Sequence, residues 1–151
     1  MFDNRLESLK EEKELKSKDV AKYLNVAEST YSEWEHNKIP IPTRRIVQLA
    51  DFYEVNIDYI LKLSNEKKTI KCTTTLDLES IGNRLKEVRK ELDLSLRELG
   101  DKLNSAFSSL GSYERGEHLI QSDTLISLCK MSGYSIDWIL DRSKQKYCKQ
   151  K

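Results

Sequence analysis

A chain of 151 residues, 38% hydrophobic and 34% charged, has room for one domain or two small ones and the makeup of a soluble, charge-coated protein. A net charge of +1 excludes a strongly basic coat: Lys/Arg and Asp/Glu number 10 and 12 in residues 1–64, 3 and 1 in 65–76, and 13 and 12 in 77–151. No run approaches the ~20 apolar residues of a membrane span. The opening MFDNRLESLKEEK is no signal peptide, so a cytoplasmic location without a membrane partner is expected.

Apolar residues recur at three- and four-residue spacing and β-branched alternation is nearly absent, which predicts an all-α fold. Asp3 is placed to cap a first helix with Phe2, Leu6 and Leu9 on its apolar side. Lys16 or Ser17 opens a second helix that turns Val20, Ala21 and Leu24 inward. Asn25-Val26-Ala27 reads as a tight turn, because Asn tolerates the left-handed backbone such a turn needs. A third helix follows over 28–36, with Tyr31 and Trp34 inward. Ile39-Pro40-Ile41-Pro42 breaks it. Thr43 is placed to cap a fourth helix carrying Ile46, Val47, Leu49 and Ala50, and Asn56 a fifth over 57–63.

The same elements return 79 residues later. Leu6 falls on Leu85, Leu15 on Leu94, Leu24 on Leu103, Asn25 on Asn104, Glu35 on Glu114, Leu49 on Leu128, and Ile57-Asp58 on Ile136-Asp137. Without a gap, 16 of the 58 positions from Asn4 to Leu61 are identical, too many over that length for chance, so the chain is a tandem duplication. Ser64 to Leu76 has no helical period and is rich in Thr and Lys. The expected layout is a first domain over 1–64, a linker over 65–76, a second domain over 77–143 and a basic, fraying tail over 144–151. In the second copy, Ser95 and Glu98 form a capping box, and Ser122 stands where Thr43 does. Gly100 sits mid-helix in place of Ala21, which points to a close helix–helix approach.

Cys72, Cys129 and Cys148 have irregular spacing and form neither a disulfide framework nor a CxxC metal pair. They read as reduced thiols, with Cys129 in the core. His36 and His118 have no companion ligand at metal-binding spacing and read as surface residues. No nucleophile–base pairing, glycine-rich phosphate loop or metal motif is present, so neither enzyme activity nor a cofactor is expected.

The residues that carry a family resemblance are Leu24-Asn25-Val26, Ser29-Thr30-Tyr31, Trp34 to Lys38 and Val55 to Leu61. In the second copy they are RLKEVRKELDLS, Tyr113-Glu114-Arg115-Gly116 and Ser135 to Leu140. Together these resemble the phage-repressor and Cro type of helix-turn-helix domain, also known as the xenobiotic-response-element type. The resemblance implies two tandem five-helix, lambda-repressor-like domains joined by a short linker. It also implies a sequence-specific DNA-binding transcriptional regulator, repressor-like and of mobile-element or phage type, with double-stranded DNA as partner. Recognition helices 28–36 and 107–115 would enter the major groove with their first residues on base edges. The base-reading residues would be Glu28, Ser29, Thr30 and Glu33 in the first copy and Phe107, Ser108, Ser109 and Ser112 in the second. Phosphates would be held by Ser17, Lys18, Lys38, Arg44 and Arg45, and by Arg97, Arg115 and His118.

Some positions depart from that pattern. The family often has Gln where this chain has Ser17 and Leu96. Glu28 and Glu33 add negative charge to the reading face, where a glutamate can accept from a cytosine amino group but gives no help with phosphates. Glu117 and Asp123 replace Lys38 and Arg44 in the second copy. Arg44-Arg45 at a helix N-terminus opposes the macrodipole at ~0.3–1 kcal/mol per charge, which favours a phosphate role. The first copy is thus the better expected DNA reader. A covalent pseudo-dimer on an operator and a homodimer through one repeat both fit the resemblance. The competing reading keeps the fold as a protein-interaction module, an anti-repressor or a partner of another regulator, docking through the second repeat.

Overall fold

The computed structural model describes residues 3–148. Among them are ten α-helices and two isolated antiparallel bridges, so the fold is all-α as the periodicity predicts. No described helix is long and apolar enough to cross a membrane. The chain divides into two compact units, Met1–Thr73 and Thr74–Lys151.

In the first unit, α1 spans Leu6–Glu12, α2 Ser17–Leu24, α3 Glu28–Glu35, α4 Thr43–Tyr53 and α5 Ile57–Ile60. Leu6, Leu9, Val20, Ala21, Leu24, Tyr31, Trp34, Ile46, Val47, Leu49 and Ala50 form its core. These are the inward positions expected from the sequence. Phe2 lies outside the described residues. The helix ends differ in detail. Arg5 occupies the N-cap of α1, and the Asn4 side chain accepts from the Leu6 N–H at 3.0 Å. Asp3, the expected cap, instead accepts from Lys62 and from Asn37, and the Lys62 ammonium holds its carboxyl below the ordinary value. Thr43 is the first helical residue of α4 and is buried, with Pro42 at the cap, so it is no cap itself. The fifth helix closes at Ile60, short of Leu63. Lys62 turns left-handed and the Leu63 and Ser64 N–H groups both return to the Asp58 carbonyl.

The second unit repeats this with α6 Leu78–Glu91, α7 Leu96–Leu103, α8 Phe107–Glu114, α9 Ser122–Ser132 and α10 Ile136–Ile139. Its first helix has 14 residues against 7 in α1. Asp77 caps it by accepting from the Glu79 and Ser80 N–H groups. Gly82 permits the extension, since a Cβ there would lie 2.5 Å from the Glu114 carbonyl oxygen. The Ser95–Glu98 capping box forms with both of its bonds. Ser122, like Thr43, is the first helical residue rather than the cap. Cys129 is buried in the core, as its helical pattern indicates. The close approach at Gly100 is tightest to the turn, where a Cβ would lie 2.6 Å from the Ser105 carbonyl oxygen, and also reaches the start of α8, 3.5 Å from the Phe107 nitrogen.

Both units end on a feature that helical periodicity does not show. After α5 the chain runs back extended, bridging Val55 to Thr69. The Asn56 N–H donates to the Lys68 carbonyl at 3.1 Å and the Ile70 N–H to the Glu54 carbonyl at 3.0 Å. Asn56 is the N-cap residue of α5, as expected, but its side chain makes no capping bond and fastens this return instead. It accepts from the Lys68 N–H at 2.8 Å and donates to the Glu66 carbonyl at 3.0 Å. In the second unit Tyr134 bridges Tyr147, Ser135 N–H donates to the Lys146 carbonyl at 2.9 Å, and Cys148 N–H donates to the Gly133 carbonyl at 2.9 Å. Residues 65–70 and 144–148, expected as linker and tail, therefore carry the residues that bridge back onto the two units. Thr74 is also tied, accepting from Arg142 Nε at 3.0 Å.

Candidate nucleic-acid interface

The link between α2 and α3 is built by three residues. Asn25 adopts the left-handed backbone at φ 57° and ψ 47°, and Val26 N–H closes on the Ala21 carbonyl at 3.0 Å. Ala27 is extended and starts α3 at Glu28. Asn104, Ser105 and Ala106 repeat the turn, with Asn104 at φ 53° and ψ 47°. A turn this short holds the first turn of each third helix beside the end of the second, with its N–H groups outward.

Each third helix is anchored from behind by an acid within the unit. Tyr31 is fully buried, and its hydroxyl donates to Glu35 Oε1 at 3.0 Å. The other Glu35 oxygen accepts from Lys10 on α1 at 3.0 Å, and Lys10 also donates to Ser17 Oγ at 3.1 Å. Burial first, then the neighbouring tyrosine and the Glu35 charge, raises the Tyr31 phenol well above its ordinary value. In the second unit the aligned acid Glu114 takes a two-pronged pair from Arg89, at 2.6 and 3.0 Å. A second pin is also shared. The Arg5 guanidinium lies 4.2 Å from the Tyr59 ring centroid and donates to the Tyr59 carbonyl, and Arg84 does the same with Trp138 at 4.9 Å. Helical periodicity does not reveal these pins. A signal for them exists in the repeat, since Arg5/Arg84 and Glu35/Glu114 are charged residues identical in both copies.

With Tyr31, Trp34 and Glu35 turned inward, α3 presents Glu28, Ser29 and Glu33 exposed and Thr30 half-buried. None of these four side chains has a hydrogen-bond or ion-pair partner among the described residues. Lys18, Lys38 and Arg44 of the same unit are exposed and form no ion pair among the described residues either. Arg45 is engaged within the unit. It donates to the Leu24 carbonyl at 2.7 Å and to Gln48 Oε1 at 3.0 Å, tying α4 to the end of α2. Ser17 is likewise engaged by Lys10. Among the described residues, Lys18, Lys38 and Arg44 are thus left without an internal acid, as the exposed side chains of α3 are left without partners.

The second unit offers a different surface. Phe107 is 43% exposed at the start of α8, and the Arg97 guanidinium lies 4.1 Å from its ring centroid. Ser108 is exposed, while Ser109 and Ser112 are half-buried. Ser112 donates to the Ser109 carbonyl at 2.7 Å, along its own helix. Arg115 is paired with Glu117 at 2.7 and 3.2 Å, and that pairing holds the Glu117 carboxyl below its ordinary value. His118 is exposed. Arg115 therefore brings little net positive charge to this face.

His36 has closer company than its sequence spacing suggests. Its Nε2 is 3.6 Å from Glu7 and 3.8 Å from Glu35, and ligand atoms of the three residues lie within 4.8 Å of one another. Glu35 is already held by Lys10 and Tyr31, so its two oxygens are committed within the unit.

Residues 4–66 match a family model described as a helix-turn-helix domain, and residues 85–139 match a second described as helix-turn-helix. The chain is 34% identical over 65 residues to the HTH-type transcriptional regulator ImmR of Bacillus subtilis (strain 168), covering 43% of this chain and 51% of that one. It is 32% identical over 66 residues to the uncharacterized HTH-type transcriptional regulator YobD of the same organism, covering 44% and 59%. The match thus spans between half and two thirds of the length of these relatives. Among solved structures, the clp gene regulator ClgR of Corynebacterium glutamicum is 29% identical with a TM-score of 0.40, covering 46% of this chain and 73% of that one.

Proposed function

We propose that this chain, which carries a helix-turn-helix domain of the Cro and lambda-repressor type in each half, is a sequence-specific DNA-binding transcriptional regulator of the repressor kind. The observation that supports it best is the unpartnered first turn of α3. Glu28, Ser29, Thr30 and Glu33 have no partner among the described residues, and Lys18, Lys38 and Arg44 of the same unit are exposed and neutralised by no internal acid there. A helix whose first turn is free, in a unit with unpaired cations, suits a major groove, where phosphates fix the helix and base edges meet its N-terminal residues. The relatives named as transcriptional regulators support the same reading.

In this reading Lys18, Lys38 and Arg44 set affinity, while Glu28, Ser29 and Glu33 set sequence preference. Arg45 and Ser17 act through the fold, one by holding α4 to α2 and the other by receiving Lys10. Selection of bound fragments from random DNA by the full chain should yield a defined sequence, with affinity falling steeply as salt rises. The double variant Lys38→Ala, Arg44→Ala should weaken binding to all fragments alike and lower the salt slope by about one for each phosphate no longer held. Glu28→Gln should change the selected sequence instead. Should no fragment be retained at low salt while another protein co-purifies with the chain, the fold serves as a protein-interaction module and the DNA reading is wrong.

A further inference from the structure

The position that opens the third helix carries opposite chemistry in the two domains. Domain 1 has Glu28 there, with Lys18 near the start of α2, and the two form no ion pair among the described residues. Domain 2 has Phe107 and Arg97 at the corresponding places, and these two are in contact, with the guanidinium 4.1 Å from the ring centroid. The contact is selective. Glu98, the next residue, is committed to the Ser95 N–H at 2.9 Å, and Asp101, one turn further on, draws no ion pair from Arg97 among the described residues. A solvated arginine settles on whichever acid is near. This one lies on an aromatic face that is itself 43% exposed.

A guanidinium carbon over a ring face localises the charge there and leaves the N–H donors free. Arg97 has no hydrogen-bond or ion-pair partner among the described residues, so those donors point at nothing within the unit. Phe107 is the first residue of α8, where a helix docked in a major groove meets base edges. The groove presents two features that match such a pair: the thymine 5-methyl group for an apolar ring, and guanine O6 and N7 for a forked donor.

We propose that Arg97 and Phe107 form a composite reader of adjacent thymine and guanine bases in the half-site of domain 2. Phe107 packs on the thymine methyl and Arg97, held over the ring, donates to O6 and N7 of the guanine. Arg97 is then a base-reading residue rather than a phosphate contact. Because domain 1 offers Glu28 at the same place, the two half-sites differ and the operator is not a palindrome. The inference rests on the DNA-binding reading and fails separately from it.

The test uses the full chain and a fragment it has selected from random DNA. Each thymine is replaced in turn by uracil, which removes only the methyl group, and each guanine by 7-deazaguanine, which removes only the N7 acceptor. One uracil and one neighbouring 7-deazaguanine should each weaken binding about three- to tenfold. Phe107→Ala should abolish the uracil effect and Arg97→Ala the 7-deazaguanine effect. Phe107→Leu should keep the methyl preference while losing the stacking. Circular dichroism of each variant confirms that the fold persists. If the chain binds selected fragments but no such substitution matters, or if Arg97→Ala weakens selected and scrambled fragments equally, the composite reader is wrong and the DNA reading stands. If no fragment binds at all, both fall together.

Discussion

Domain 1 and domain 2 are alike inside and different outside. Inside, Lys10–Glu35 and Arg89–Glu114 join the first helix to the third in the same way, and Arg5 and Arg84 each lie over the ring of the fifth helix. Outside, the first turn of the third helix reads Glu28, Ser29, Thr30 in one copy and Phe107, Ser108, Ser109 in the other. Lys38 is replaced by Glu117, which neutralises Arg115. A buried acid held by a cation from another helix fixes where the third helix lies without using its exposed face. After duplication that face was free to change its chemistry while its position stayed fixed.

The sharpest way to separate the two domains is a pin that only one possesses. Arg142 and Asp137 form an ion pair with both side chains at or below 1% exposure, and Leu63 stands at the place of Arg142 in domain 1. Removing one member of a buried pair leaves the other charged in a low-dielectric interior, at about 3–5 kcal/mol. Arg142→Ala should destabilise domain 2 by that amount and break the hydrogen bond to Thr74 Oγ1. Hydrogen exchange read by mass spectrometry should show protection falling in residues 77–148 with residues 4–66 unchanged. A loss shared by both halves would mean that the two domains do not hold their stability separately.

The next test concerns the pin they share. Glu35→Ala removes the acid partner of Lys10, which keeps Ser17, and the carboxylate that accepts from the Tyr31 hydroxyl, while Glu114→Ala removes the acid partner of Arg89, which keeps the Leu94 carbonyl. The cations keep 15% and 13% side-chain exposure, so some water reaches them and the cost should be smaller, about 2–3 kcal/mol in each domain. Urea unfolding of the two variants measures it. Comparable losses support one inherited anchor. A negligible loss in either copy would mean that this copy positions its third helix by apolar packing alone.

Much of this architecture was legible in the residues because helices announce themselves by spacing. The turn at Asn25, the apolar stripes, the Ser95–Glu98 box and the repeat at 79 residues all follow from local rules. The residues that bridge back onto each unit were not legible, since a bridge between Val55 and Thr69 leaves no period in a Thr- and Lys-rich stretch. Thr43 and Ser122 were misplaced by one residue as caps because their burial on α4 and α9 depends on packing that composition does not report. At the proposed reading face, spacing placed the helices of the two turns but not which cations remain unpaired among the described residues. Arg45 and Arg115 look like phosphate donors in sequence, and only their partners, Leu24 and Glu117, show them to be engaged.

The smallest expected effect tests how tightly the turn of domain 2 is built. At the aligned site domain 1 has Ala21 and domain 2 has Gly100. Helix propensity alone says that Gly100→Ala should stabilise α7 by about 1 kcal/mol. The added Cβ would lie 2.6 Å from the Ser105 carbonyl oxygen and 3.5 Å from the Phe107 nitrogen, and backbone atoms yield less readily than the end of a side chain. Overpacking of that kind costs about 1–3 kcal/mol, so the net change should be a loss of up to about 2 kcal/mol. Ala21→Gly in domain 1 should cost about 1 kcal/mol, by propensity. The two thermal shifts should therefore carry the same sign although the substitutions are opposite. A gain in Gly100→Ala would show that the turn has slack. A loss implies that Gly100 sets the distance between α7 and the start of α8, and with it the contact of Arg97 with Phe107. In that case the same variant should also blunt discrimination between thymine and uracil while leaving domain 1 untouched.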